Sequence, residues 1–384
     1  MGPLEGIKVI ELAGIGPAPF CAMMLADHGA QVVRVERATA RPDDPPPVDC
    51  QQRNRRSIAL NLKCPAAAEV LLRLVETADA FIEGFRPGVT ERLGVGPEAC
   101  LARNPRLVYG RMTGWGQDGP LARAAGHDIN YLALSGALHM IGPAGGKPVP
   151  PLNLIGDFGG GGMMLAFGIL AAIMEARRSG RGQVIDAAMV DGIAAMMGVF
   201  HSMSTRGVVS DRTGEDILAG GAPWYDTYRT KDGHAVAVGA IEPQFYTILL
   251  EKLGLDVERF SPLGYPAIDQ QTRRAWPQLR EAMAAAFASR TREEWCHLFE
   301  GADACFSPVL GLAEARRHSH HVSRRTFIEV DGVPQHAPAP RFSRTPAAPV
   351  GAPPRPGEHT EAVLREVGYT GTDLERLRAA GALA

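Results

Sequence analysis

Two short runs carry residue types that could move a proton. Gly126-His127-Asp128-Ile129-Asn130-Tyr131 sets an imidazole beside a carboxylate, and further on Gly156-Asp157-Phe158-Gly159-Gly160-Gly161-Gly162 sets a lone acid ahead of an apolar helix. Histidine titrates near neutrality and is the usual general base. A His and an Asp on opposite sides of one carbon could take a proton from one face and return one to the other. Each run also has a plainer reading. Asp128 can cap a helix over 131–138, and Asp157 can be an ordinary N-cap. The four glycines weigh against a simple cap, since each costs a helix about 1 kcal/mol relative to alanine. They predict close approach of a ligand to the backbone, with exposed N–H groups and the helix dipole facing a developing oxyanion. Glu242, before Pro243, reads by itself as a surface acid. Met163, Met164, Met189, Met196, Met197 and Met203 read either as adaptable core filling or as a flexible lining for an acyl chain.

The elements that must position these residues alternate. Residues 7–12, 31–36, 79–85 and 107–111 read as strands, with helices over 20–27, 65–77 and 90–103 between them. That spacing predicts βαβ units and a mostly parallel, Rossmann-like sheet. The first turn, Gly14-Ile15-Gly16-Pro17-Ala18-Pro19, lacks the third glycine of a dinucleotide fingerprint and carries prolines, which argues against nicotinamide binding. Arg41-Pro42-Asp43-Asp44-Pro45-Pro46-Pro47 is an irregular surface loop. Arg53-Asn54-Arg55-Arg56 reads as a solvated basic turn or, with Arg37 and Arg86, as cations following strand ends, where an open α/β sheet binds its ligand. Arginine forks suit phosphates, so a phosphorylated carrier such as coenzyme A fits. A strand over 184–187 and an apolar helix over 190–200 follow. Near 226 the texture changes to two strands around an Asp232-Gly233 turn and then a helix. The predicted organisation is a large Rossmann-like domain over 1–200, a linker over 201–225, a small α+β domain over 226–330, and a C-terminal segment over 331–384 that returns to the large domain. That segment holds an extended Pro/Ala connector over 345–356 and an amphipathic helix over 359–380.

Length and composition close off other classes. A chain of 384 residues with 45% apolar content suggests two domains with real cores. A net charge of −2, evenly mixed, argues against a general nucleic-acid binder. Scattered Cys21, Cys50, Cys64, Cys100, Cys296 and Cys305 predict reduced, mostly buried thiols. The N-terminus has no signal-peptide pattern and fails the myristoylation pattern, and the C-terminus carries no peroxisomal address. The apolar run 163–174, about 12 residues, predicts a buried helix too short to span a bilayer. A soluble cytoplasmic bacterial protein is expected, with no membrane insertion.

Longer stretches point to a family. Residues 126–136, Pro151-Leu152-Asn153-Leu154, Gly182-Gln183-Val184-Ile185-Asp186-Ala187, Gly220-Gly221-Ala222-Pro223, residues 239–246 and Asp303-Ala304-Cys305 resemble the α-methylacyl-CoA racemases of the class III CoA-transferase (CaiB/BaiF) superfamily, nearly end to end. The resemblance implies a large Rossmann-like and a small domain joined into a ring, two rings interlocking as a homodimer. The active site would lie between the large domain of one subunit and the small domain of the other. It implies His127 and Asp157 as the acid/base pair and Glu242 of the other subunit as the group orienting His127. Arg37, Leu60, Asn61, Leu62, Lys63, Arg86, Gly126, Asp128, Ile129, Asn130 and Tyr131 would border coenzyme A.

In the implied chemistry one residue of the pair removes the α-proton of a 2-methylacyl thioester and the other reprotonates the enolate from the opposite face. No metal, flavin or nicotinamide is required; coenzyme A enters as part of the substrate. The chain departs from the family pattern at Asn61, where Asp is more usual, at Ala38-Thr39 in place of Pro-Gly, and in the 43–47 loop, all on the coenzyme rim. The rival expectation is a class III CoA transferase with Asp157 as nucleophile. A non-catalytic acyl-CoA-binding protein is a third.

Overall fold

The computed structural model describes residues 2–38 and 47–383, so Thr39 and most of the proline-rich loop lie outside the described residues. The chain divides into two compact units. Met1–Ser135, Leu152–Met196 and His320–Ala384 make the first, and Gly136–Pro151 with Met197–Ser319 the second.

Six parallel strands organise the first unit: β1 (Lys8–Leu12), β2 (Gln31–Arg37), β3 (Arg55–Leu60), β4 (Ala80–Glu83), β5 (Val108–Thr113) and β6 (Gln183–Ala188). Their order is β3-β2-β1-β4-β5-β6, the Rossmann arrangement expected from the sequence. Crossovers run through α1 (Pro17–Asp27), α2 (Pro65–Val75), and α3 (Val89–Arg92) with α4 (Pro97–Arg103). The inner strands are short β-branched runs buried on both faces, as helix-covered parallel strands must be. Val33, Ile58 and Phe81 pack against Leu71 and Leu74 of α2, with Phe81 stacked on Tyr109. The strand order reverses between β1 and β4, which opens a crevice at their carboxyl ends.

The apolar run 163–174 lies within a helix of 26 residues, Leu154–Ser179. By length and composition it is long enough to cross a bilayer, which corrects the expectation of a short, buried helix. One face is core: a Cβ on Gly110 of β5 would come within 3.0 Å of Leu165 and 3.3 Å of Ile169. The other leaves Phe167 72% and Met174 73% exposed. Its first part, Leu154–Met163, is π-wound, and the rest, Met164–Ser179, is α-helical.

The glycine run has a different cause from the expected one. A Cβ on Gly161 would lie 2.9 Å from Pro17 Cβ, and one on Gly162 would lie 2.7 Å from the Pro17 carbonyl. From the opposite side, a Cβ on Gly192 would sit 1.9 Å from the Gly160 carbonyl. Here the glycines let α1 and the helix Met189–Met196 press on the segment, and the backbone they expose is covered by protein. Nor are the methionines a core cluster. Met189 is buried, but Met163, Met164 and Met196 are exposed.

The basic run 53–56 leads into the start of β3, at the edge of the sheet opposite the strands' carboxyl ends, and its cations are paired within the protein. Arg53 is fully buried; its Nε and Nη2 donate to Asp27 at 3.0 and 2.5 Å, and its Nη1 donates to Gln335 Oε1 at 2.7 Å and to the His336 carbonyl at 2.8 Å. Arg55 Nε lies 2.6 Å from Glu11, which also pairs with Arg34 at 2.6 Å, all three buried. Arg56 pairs with Glu366. A phosphate-binding role for this run is therefore set aside.

The Arg53 bonds also fasten the hairpin Phe327–Val330 and Val333–His336 to the first unit, whose boundary falls at 319 where the sequence suggested 330. Likewise 136–151 groups with the second unit. Thr213 Oγ1 donates to the His139 carbonyl at 2.8 Å and Gly214 N–H to Met140 at 3.3 Å. The C-terminal helix is two, Thr360–Glu366 and Gly371–Ala379, parted by Gly368 at φ 87°.

The second unit is built on three antiparallel strands, β7 (Tyr225–Arg229), β8 (Ala235–Gly239) and β9 (Phe306–Pro308). The first two form the expected hairpin, with Gly233 at φ 78°. Helices Pro243–Leu253 and Gln270–Phe287 close its core around Trp224, Tyr246, Leu279 and Phe287. All six cysteines are free, but only Cys21 and Cys100 are buried, fewer than expected.

Candidate active site

A cleft of about 570 Å³ opens at the carboxyl ends of the first unit's strands, where the order reverses. Gly16 comes to it from the β1–α1 turn, Phe85 and Arg86 from the end of β4, and Trp115 from beyond β5. Gly126, His127, Tyr131, Asn153 and Asp157 complete it, so the two runs with acid/base character meet in one place.

Asp157 is not a helix cap. The helix begins at Leu154, with Asn153 as N-cap, and Asp157 lies within its first π-wound turn. Its placement is held from three sides. Its N–H donates to Asp128 Oδ1 at 2.8 Å, its Oδ2 accepts from Asn153 Nδ2 at 3.0 Å, and a Cβ on Gly16 would lie 3.4 Å from the same oxygen. Gly16 has φ 73°, which favours glycine there. Because Asp128 takes the Asp157 N–H, that amide is already bonded within the protein.

His127 is exposed and serves as N-cap of α5 (Asp128–Leu134). Its N–H donates to Asn130 Oδ1 at 3.0 Å, and its carbonyl accepts the Asn130 N–H at 2.8 Å. This reciprocal pair sets the angle at which the imidazole leaves the chain. Asp128 is the next residue, so one carboxylate ties the helix carrying His127 to the segment carrying Asp157. Gly156 makes room for it: a Cβ there would fall 2.3 Å from Asp128 Oδ1. Burial raises the Asp128 carboxyl above its usual range and the neighbouring Asp157 charge adds to this, against the pull of the Asp157 and Gly156 amides. Asp128, expected on the coenzyme border, is thus an internal strut.

Tyr131 is buried beneath Gly114 and Gly126. A Cβ on either would come 2.0 or 2.8 Å from its ring, and Trp115 meets the ring edge-on at 4.7 Å. Burial, then the Asp157 carboxylate, pushes its phenol up. Ile129 and Asn130 stay exposed on α5.

The remaining expected coenzyme residues divide. Arg37 ends β2 and is exposed; Lys63, exposed, and the partly buried Leu62 follow the adjacent β3 on the same edge of the sheet. Leu60 is buried and bridges to Leu383, and Asn61 donates from Nδ2 to the Gly381 carbonyl at 3.0 Å. The C-terminal segment thus bonds to both residues. Glu242 belongs to the second unit, where it is the exposed N-cap of Pro243–Leu253; burial, Glu242 and Asp303 together raise the nearby Cys305 thiol.

Sequence reading missed Asn153 and Glu83. The signal for Asn153 was its spacing, four residues before Asp157 on one helical face. Glu83 ends β4 beneath Phe85 and Arg86 and is 1% exposed. Burial pushes its carboxyl up to about 7, against the pull of the Phe85 amide and Arg111. Because the folded value lies above the unfolded one, Glu83 contributes most stability below about pH 4.5 and loses it as pH rises through about 7. Glu83→Gln, uncharged throughout, should flatten that dependence. Urea midpoints at about pH 5 and pH 8 should differ less in the variant than in the wild type.

Known proteins resemble the chain along nearly its whole length. The CoA-transferase family III profile matches residues 4–360. Alpha-methylacyl-CoA racemase of Mus musculus is 47% identical over 377 residues, 97% of this chain and 96% of that protein. The Homo sapiens protein of the same name is 46% identical over 378 residues, 97% and 96%. A CaiB/BaiF family crystal structure from Brucella suis superposes with a TM-score of 0.78 at 25% identity, over 95% of this chain and 99% of that one. By sequence along nearly its whole length and by fold, the chain belongs to CoA-transferase family III.

Proposed function

We propose that this chain is a racemase that interconverts the two enantiomers of 2-methylacyl-CoA thioesters through an enolate. The observation that carries the reading is the convergence of His127 and Asp157 on one cleft at the sheet's switch point, in a chain 47% identical to a protein named for that activity. One of the pair takes the α-proton and the other delivers one to the opposite face, and their roles exchange for the other enantiomer. Asn153 and Asp128 hold the carboxyl partner in place. Arg37, Lys63 and Arg86 stand at the carboxyl edge of the sheet as cations for the coenzyme's phosphates. The chemistry needs no metal or other cofactor.

The working form is a homodimer. Exposed Met163, Phe167 and Met174 repeat along one face of the Leu154–Ser179 helix, an apolar stripe suited to a second copy. Glu242, the residue that the resemblance pairs with His127, offers its exposed carboxylate to such a partner. Six unpaired thiols suit the reducing cytoplasm.

The test is NMR of a single-enantiomer 2-methylacyl-CoA in deuterated water. Deuterium should enter the α-position with loss of optical purity and with no acceptor acid present. Transfer of coenzyme A to an added carboxylic acid, without exchange, would instead make Asp157 a nucleophile and the enzyme a transferase.

A further inference from the structure

Arg86 shares the cleft with Asp157 and Tyr131, and it sits on the short loop 84–88 between β4 and α3. Both ends of that loop are tied to one guanidinium. At the near end, Glu83 Oε2 accepts the Phe85 N–H at 2.7 Å while its Oε1 accepts from Arg111 Nε at 3.0 Å. Past the far end, Glu91 on α3 accepts from Arg111 Nη1 at 2.9 Å and Nη2 at 3.3 Å. Between them the loop closes on itself: the Val89 N–H donates to the Arg86 carbonyl at 3.1 Å, and Gly88 turns the chain at φ 83°.

Arg111 stands opposite Glu83 in the β4–β5 register and is itself buried. None of Glu83, Glu91 and Arg111 lines the cleft. Only a planar fork with donors on three nitrogens can span two carboxylates in this way. We propose that Arg111, by bridging Glu83 and Glu91, is a positioning residue that pre-sets Arg86 for a phosphate of coenzyme A.

This rests on the acyl-CoA reading of the cleft. A pinned loop loses little freedom when the ligand arrives, so the clamp acts on affinity. The Glu91 side chain is 44% exposed, so its pairing contributes little to the fold and can be broken without unfolding the protein.

The test is calorimetric binding of coenzyme A, with pantetheine, which has no phosphate, as the control. Arg86→Ala should weaken coenzyme A roughly tenfold and leave pantetheine unchanged. Glu91→Gln should weaken coenzyme A about threefold to tenfold, and Arg111→Lys, which can hold one glutamate at a time, by a similar amount. In the Arg86→Ala background neither should have further effect, the coupling expected of residues that act through one another. Glu91→Gln binding coenzyme A as the wild type does, or weakening it equally with Arg86 absent, would overturn the clamp. Proton exchange measured on the same samples separates the two ideas. Exchange with no clamp effect removes the clamp alone, and a clamp effect without exchange removes the racemase reading alone.

Discussion

Asp157→Asn and His127→Ala should each slow interconversion of the enantiomers by roughly 10²- to 10⁴-fold, the range that general acid–base catalysis supplies. Both directions should suffer equally, since no substitution changes the equilibrium constant between the two epimers and passage either way uses both residues. Partial reactions should not suffer equally. With one base gone, the survivor still faces one side of the α-carbon and can remove that enantiomer's proton and return a deuteron to the same face. Each variant should therefore wash deuterium into one enantiomer without inverting it, and the two variants should favour opposite enantiomers. Asparagine suits the Asp157 test because it preserves the volume beside Gly16 and can still bond Asn153 once that amide turns over. Racemisation by Asp157→Asn within about threefold of wild type would remove Asp157 from the pair, because acid–base roles of this kind are worth far more.

The sheet and the two candidate runs that meet in the cleft, those of His127 and Asp157, were legible in the sequence for the same reason: each is local. Runs such as 31–36, with three valines in six residues, carry a strand signal of their own, and a His and an Asp announce their chemistry by type. What holds the pair is not local. Asp128 is spent on an amide of the 156–157 run, and nothing in Gly-His-Asp reveals that. The glycines after Asp157 show the same limit, since a ligand-cradling loop and a helix crowded by its neighbours need the same missing side chains. Pro17 and Gly192 decide between the two, and both are remote in sequence. The basic run 53–56 was misread because charge does not show which edge of a sheet it occupies. Asp27, Glu11 and Glu366, its partners, come from three other elements. The second unit's boundaries were hidden likewise, because 136–151 leaves the first unit and the chain returns at Leu152.

Glu11→Gln should cost about 3–5 kcal/mol of stability, because it leaves Arg34 and Arg55 buried together without the carboxylate between them. The side chain keeps its size, so the loss would be electrostatic, seen as a lower urea midpoint with an unchanged slope. A midpoint equal to wild type would show that the triad carries no such balance. Replacing the whole triad tests what it is for. Glu11→Leu with Arg34→Met and Arg55→Met removes all three charges, and buried ion clusters replaced by apolar groups of like size often lose little. Its stability should lie nearer to wild type than to Glu11→Gln. Its proton exchange should nevertheless fall below that of the wild type. Arg34 donates to the Gly14 carbonyl at 3.4 Å and Arg55 to those of Pro19 and Gln51, so the two arginines brace both sides of the turn that sets Gly16 against the Asp157 carboxylate. An apolar triad can fill the same space, but it has no donor with which to hold that turn.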